Sequence, residues 1–204
     1  MNNNTSIQSL SENTIVNNWS MYNKLLASIV HRFENIEKML NVIGDELAVA
    51  PASSKTEFHN AFPGGLVDHS LRVLKNAMNY TNTIKADVPK ESLIIASLFH
   101  DLGKVGDGTN PLYVKQTDQW RRDKLGEVYT HNQDLVYMTT GLRGLFLLQK
   151  FDIKLTQEEY LAIYLNDGWI LQENKQYALK EPILAHIIQT ADYTATLTEK
   201  RGQL

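Results

Sequence analysis

From Trp19 onward the chain sets its large apolar residues three and four positions apart, and few runs alternate with period two. That spacing builds helices and leaves little material for a half-buried sheet. Tyr22, Leu25, Leu26, Ile29, Val30, Phe33, Ile36, Leu40 and Ile43 form one stripe ending before Gly44, which predicts a long amphipathic helix. Helices are also predicted from Leu66 to about Tyr80, from Glu91 to Asp101, from Leu135 to Phe151 and from roughly Pro182 to Thr198. Thr156 followed by Glu159 is a capping box opening a helix that runs to Asp167 and stops at Gly168. The run Leu93–Phe99 fits a buried strand or a buried helix. Helix is preferred because its neighbours are helical and Gly103 sits where a helix would end. Pro51, Pro63 and Gly64–Gly65 make residues 45–65 a loop or broken helix, and residues 106–126 read as one long polar loop. The expected fold class is all-α: a single-domain helical bundle over residues 19–204, preceded by a flexible polar arm over residues 1–18, where Asn, Ser and Thr dominate.

A chain of 204 residues buries enough surface to hold a core without disulfides or a structural metal. Absence of cysteine excludes thiolate zinc sites, iron–sulfur clusters and cysteine nucleophiles, so any metal must be held by His, Asp or Glu. A net charge of −3 with no basic run argues against strong non-specific binding to nucleic acid. No apolar stretch approaches the ~20 residues that span a bilayer, and the Asn-rich N-terminus lacks a basic region followed by an apolar one. No membrane association and a cytoplasmic location are expected.

The six histidines stand at 31, 59, 69, 100, 131 and 186, and each taken singly fits a packing or surface role. Company changes this for two of them, His69 and His100, and draws in Asp101 and Asp192. His100 and Asp101 are adjacent at the end of an apolar helix, where the backbone turns and the helix dipole favours a cation; a buried His–Asp hydrogen bond is the other reading. His69 lies on the second turn of its helix. Asp192 interrupts the apolar face of the last helix, where a carboxylate is costly unless a positive group meets it.

In order, His69, His100–Asp101 and Asp192 resemble the H…HD…D pattern of the HD-domain metal-dependent phosphohydrolases. Residues 59–70, HNAFPGGLVDHS, and 97–104, SLFHDLGK, resemble that family's H-x-A-x-x-G-G-L-x-x-H-S/T and L-x-H-D-x-G-K motifs, and the likeness covers about residues 57–197. It implies an HD-type helical bundle in which His69, His100, Asp101 and Asp192 bind one divalent metal. Such a donor set suits Mn²⁺, Fe²⁺, Co²⁺, Ni²⁺ or Zn²⁺. Asp101 would also steer or accept the proton of the attacking water, and Lys104 would face the transferred phosphate as a point charge. Two-metal members carry a further His where this chain has Asn166, which weighs against a second ion; Asp167 would bind a harder cation, hold a water, or simply be solvated. No residue is assigned to any further cofactor.

The implied function is hydrolysis of a nucleotide or related phosphate ester, with a nucleotidase or nucleoside triphosphate hydrolase foremost. The alternatives are a phosphodiesterase or 3′-end nuclease of the same fold, or a non-catalytic module that senses a nucleotide or binds a partner. Candidate substrate contacts are His59, Trp120, Arg121, Arg143 and Asp167, with His131 a further possibility; arginine forks suit phosphate and aromatic faces suit bases. The broad stripe of the first helix would pack on the core or on a second copy, leaving a homo-oligomer open.

Overall fold

Ser11 accepts a hydrogen bond from the Thr14 amide and starts α1 (Glu12–Ala27), inside the stretch expected to be an arm. The structure, a computed structural model, describes residues 9–168 and 171–201. Residues 1–8 of the expected arm lie outside the described residues. Residues 12–18 are helical despite their polar composition because they dock: Asn18 donates to Asp68 at 3.0 Å.

The stripe expected to form one helix up to Gly44 forms two. Ser28 returns its hydroxyl to Leu25 O at 2.6 Å, a 3₁₀ turn covers Val30–Arg32, and α2 runs over Phe33–Val49. The bend drops Ile29 into the core, leaves Val30 75% exposed, and carries Arg32 to Glu91 and Glu159 at 2.6 and 2.7 Å. Apolar periodicity reports a face and is blind to a break that keeps the face in phase. Tyr22, Leu26, Ile36, Ile43 and Leu47 of this pair are buried within the chain.

Next come α3 (Gly65–Ile84) and α4 (Lys90–Phe99). In α4 every residue from Ser92 to Phe99 is buried, as in a helix that is apolar all round and packed on every side. It lies against α1, α3, α7 (Gln157–Tyr164) and α8 (Ile183–Lys200). Tyr22 fixes α1 to it by donating to Leu98 O at 2.8 Å. The capping box on α7 is present as expected. That helix stops at Tyr164 rather than Asp167, because the Gly168 amide bonds Leu165 O at 2.8 Å and closes the chain into a turn.

Residues 106–126, read as one loop, hold structure of their own. β1 (Tyr113–Lys115) pairs antiparallel with β2 (Tyr129–His131), Tyr113 facing His131, and α5 (Gln119–Leu125) lies between them. Asp118 caps α5 by accepting from the Arg121 amide, and Gly126 ends it at φ +61°. The helix expected from Leu135 begins later, as α6 (Thr140–Lys150), where Thr139 supplies the cap.

Gly103 does not end a helix. A Cβ there would lie 2.1 Å from Thr140 O, so glycine is required for α6 to pack against the turn Leu102–Val105. Gly65 plays the same part at the start of α3, where a Cβ would lie 2.2 Å from Asn60 O.

Candidate metal centre and active site

Three helices bring the site together: His69 comes from the second turn of α3, His100 and Asp101 from the end of α4, and Asp192 from the middle of α8. His69 and His100 are fully buried, Asp101 is 5% exposed, and Asp192 faces a cavity. His69 Nε2 lies 3.0 Å from Asp192 Oδ1, 3.3 Å from His100 Nε2 and 3.8 Å from Asp101 Oδ2. His100 Nε2 lies 3.4 Å from Asp101 Oδ2 and 3.9 Å from Asp192 Oδ1.

The other nitrogen of each ring is already engaged. His100 Nδ1 donates to Ser97 O at 2.8 Å, and His69 Nδ1 faces the buried Glu199 carboxylate at 3.0 and 3.2 Å. With Nδ1 so engaged, each ring turns its Nε2 toward the carboxylates, the nitrogen that would bind a metal on giving up any proton it carries. Donors about 2.0–2.2 Å from a common ion stand roughly 3.0–3.5 Å apart when adjacent in its shell, close to the spacing found. The residues therefore fit one divalent ion.

The electrostatics without an ion agree. Burial opposes charge on His69, yet hydrogen bonds to Asp192 and Glu199 raise its pKa to about 10, so its proton stands in for a cation. Burial likewise opposes the charge of Asp101, but Lys104 and then the two imidazoles hold its pKa well below the usual range. Asp192 is lowered against its own burial by His69 and His100. Lys104 Nζ lies 2.5 Å from Asp101 Oδ2, and that carboxylate outweighs burial to raise the lysine pKa.

A cavity of about 640 Å³ opens over this centre, with Asp101, Lys104 and Asp192 in its lining. Phe58, Tyr113, His131 and Tyr193 add ring faces, and Asn166, Asp167 and Gln189 add polar groups. His59 lines it too, its ring 4.5 Å from that of His69. Burial, then Lys104 and His69, lower its pKa to about 2 and keep it neutral. Asp167 is raised by burial and then by Asp101.

Three of the expected substrate contacts are not brought to this cavity. Trp120 is 61% exposed on α5. Arg121 pairs with Glu127 at 3.1 Å. Arg143 is buried in α6 and donates to Val136 O at 2.9 Å. The loop that carries Trp120 and Arg121 curls into its own helix and hairpin, where Arg121 and Arg122 find partners within the same segment. Sequence reasoning missed Glu199, although it lies seven residues after Asp192, two helical turns along the same face. It also missed the lining residues Ser53, Phe58 and Tyr193, whose positions depend on how the chain folds back, whereas Tyr113 of the 106–126 segment does reach the cavity. His186, read as a packing or surface residue, meets the Tyr80 hydroxyl at 3.0 Å.

An all-helical frame that gathers two imidazoles and two carboxylates under a cavity defines a class of hydrolase-like metal centres. The sequence matches the HD domain over residues 66–197. The chain belongs to that family, whose superfamily comprises metal-dependent phosphohydrolases. Neither a curated protein nor a solved structure shows significant similarity to it. No helix among the described residues is long and apolar enough to cross a membrane.

Proposed function

We propose that the chain is a phosphohydrolase using one divalent metal, held by His69, His100, Asp101 and Asp192, to cleave a phosphate ester of a small nucleotide or a nucleotide-like molecule. The observation that carries this reading is the join between the His/Asp cluster with Lys104 and a cavity with ring faces, two halves suited to the two ends of a nucleotide. The cavity volume lies within the usual range for small-ligand sites.

When bound, the dication lowers the pKa of its water towards about 7 and polarises a phosphoryl oxygen. The protein's own groups do the rest. Asp101 holds Oδ2 toward both imidazoles and toward Lys104, so it is placed to orient the attacking water and accept its proton. Lys104 stays charged and sits at the cavity wall, available to the transferred phosphate as its bond to Asp101 is shared. Phe58, Tyr113 and Tyr193 offer faces for a base, worth about 1–3 kcal/mol per stacked ring. His69 and His100, fixed through Glu199 and Ser97, keep the centre from rearranging as charge moves.

The test is phosphate release from nucleoside mono-, di- and triphosphates and cyclic dinucleotides by protein loaded with Mn²⁺, Fe²⁺, Co²⁺, Ni²⁺ or Zn²⁺. Activity on one of these groups is expected, and Asp101→Ala is expected to lose both bound metal and turnover. An Asp101→Ala protein with unchanged metal content and unchanged phosphate release defeats the proposal. Release of nucleoside monophosphate from an oligonucleotide, with none from free nucleotides, would reassign the centre to diester cleavage.

A further inference from the structure

Among the buried side-chain polar atoms of the described residues that lack a hydrogen-bond partner, His59 Nε2 is the one ring nitrogen. A buried polar atom without a partner is costly and uncommon, and at a site it points to a ligand. The loop holds His59 in place. Ser53 Oγ donates to the His59 carbonyl at 2.6 Å. The next residue, Asn60, takes φ +46°, and its carbonyl accepts from the amides of Ala52 and Phe62 at 3.1 and 2.9 Å. Gly64 N to Val49 O and Leu66 N to Ala50 O, both 3.0 Å, tie the ends of this loop to α2. The His59 ring is thus presented to the site by a built loop.

Donor atoms of His59, His69 and Asp101 lie within 4.8 Å of one another, and so do those of His69, His100 and Asp192. The two trios share His69, whose Nδ1 is engaged by Glu199. Only the Nε2 lone pair remains, and one lone pair serves one ion. The trios therefore describe a single centre seen from two sides. We infer that His59 is a fifth protein donor to the metal held by His69, His100, Asp101 and Asp192, rather than a substrate contact. The inference rests on the proposed metal site and adds to it.

Five donors exceed the three that a catalytic zinc centre takes beside its water. His59 therefore biases the site toward ions that accept more ligands, such as Mn²⁺, Fe²⁺, Co²⁺ and Ni²⁺. The experiment uses the full chain, stripped of metal and titrated with Co²⁺ against a chelator while its visible absorption is recorded. His59→Gln is expected to bind one Co²⁺ about ten- to a hundredfold more weakly, with more intense visible bands from a less crowded ion. Wild-type affinity and an unchanged spectrum in His59→Gln would remove His59 from the shell and leave the four-residue site standing. Failure of the wild-type chain to bind Co²⁺ would overturn the site itself. A second measurement needs no variant: ¹⁵N-histidine protein loaded with ¹¹³Cd²⁺ is expected to show three cadmium-coupled imidazoles, and two would overturn the inference.

Discussion

At the scale of single residues the proposed centre depends on atoms one step behind its proposed ligands. Glu199 is 2% exposed, its carboxylate spans the His69 Nδ1 position, and Arg72 Nε lies 3.8 Å from its Oε1. Arg72 in turn donates to Asp68, one turn back on α3, at 2.9 Å. Removing such a partner loosens metal binding about ten- to a hundredfold. Glu199→Gln, which keeps an acceptor for the Nδ1 proton but loses the charge, is expected near tenfold, and Glu199→Ala near a hundredfold. Chelator competition measures both, with far-UV circular dichroism checking the fold; equal affinity in all three proteins would show that Glu199 only fills space. His69, His100, Asp101 and Asp192 were readable because their order and local motifs survive in one dimension. Glu199 was not, since nothing in a carboxylate near a helix end says whether it turns inward. Arg143, expected to contact substrate, is instead buried between Gly141 and Gly144, glycines that let α6 approach Ile163 and Gly103.

At the scale of elements, the break between α1 and α2 is tied to a buried charge. Glu159 of the α7 capping box is fully buried, takes Arg32 at 2.7 Å and accepts from Ser92 Oγ at 2.8 Å and the Thr156 amide at 2.9 Å. One carboxylate so joins the start of α2, α4 and α7. The capping box was visible as Thr156 and Glu159, but its second task was not, because Arg32 lies 127 residues away. Loss of one partner of a buried pair costs about 3–5 kcal/mol, and Glu159→Gln is expected to lose that much in urea unfolding at pH 7. Burial opposes its charge, but Arg32, the Thr156 amide and Ser92 prevail and lower its pKa. A carboxylate lowered in the folded state contributes fully above its unfolded value of about 4.3 and loses that contribution as pH falls through the lower folded value. The gap between wild type and Glu159→Gln should therefore be constant at neutral pH and shrink below about pH 4. A gap that widens on acidification would mean that the carboxyl is already neutral in the native chain.

At the scale of the whole molecule, residues 69, 100–101 and 192 come from separate stretches and meet where α3, α4 and α8 pack on one another. Helix faces were legible in the apolar spacing, and with them the all-α class. The hairpin of β1 and β2 was not, because strands of three residues carry too few alternations to register against polar surroundings. Placing the proposed ligands at this junction would couple metal binding to the stability of the fold. Without an ion, the neighbouring negative charges of Asp101 and Asp192 are countered by His69, His100 and Lys104. An ion that binds the native chain alone adds about 2.7 kcal/mol at a hundred times its dissociation constant. For a chain of this size each kcal/mol moves the melting temperature by roughly 2–4 °C, so Co²⁺ or Mn²⁺ is expected to raise it by about 5–10 °C and EDTA to reverse the change. Asp192→Asn should melt at the same temperature with and without the ion. If the wild-type chain also melts alike in saturating metal and in EDTA, the three helices do not meet around a cation, and the centre has to be assigned to hydrogen bonding alone.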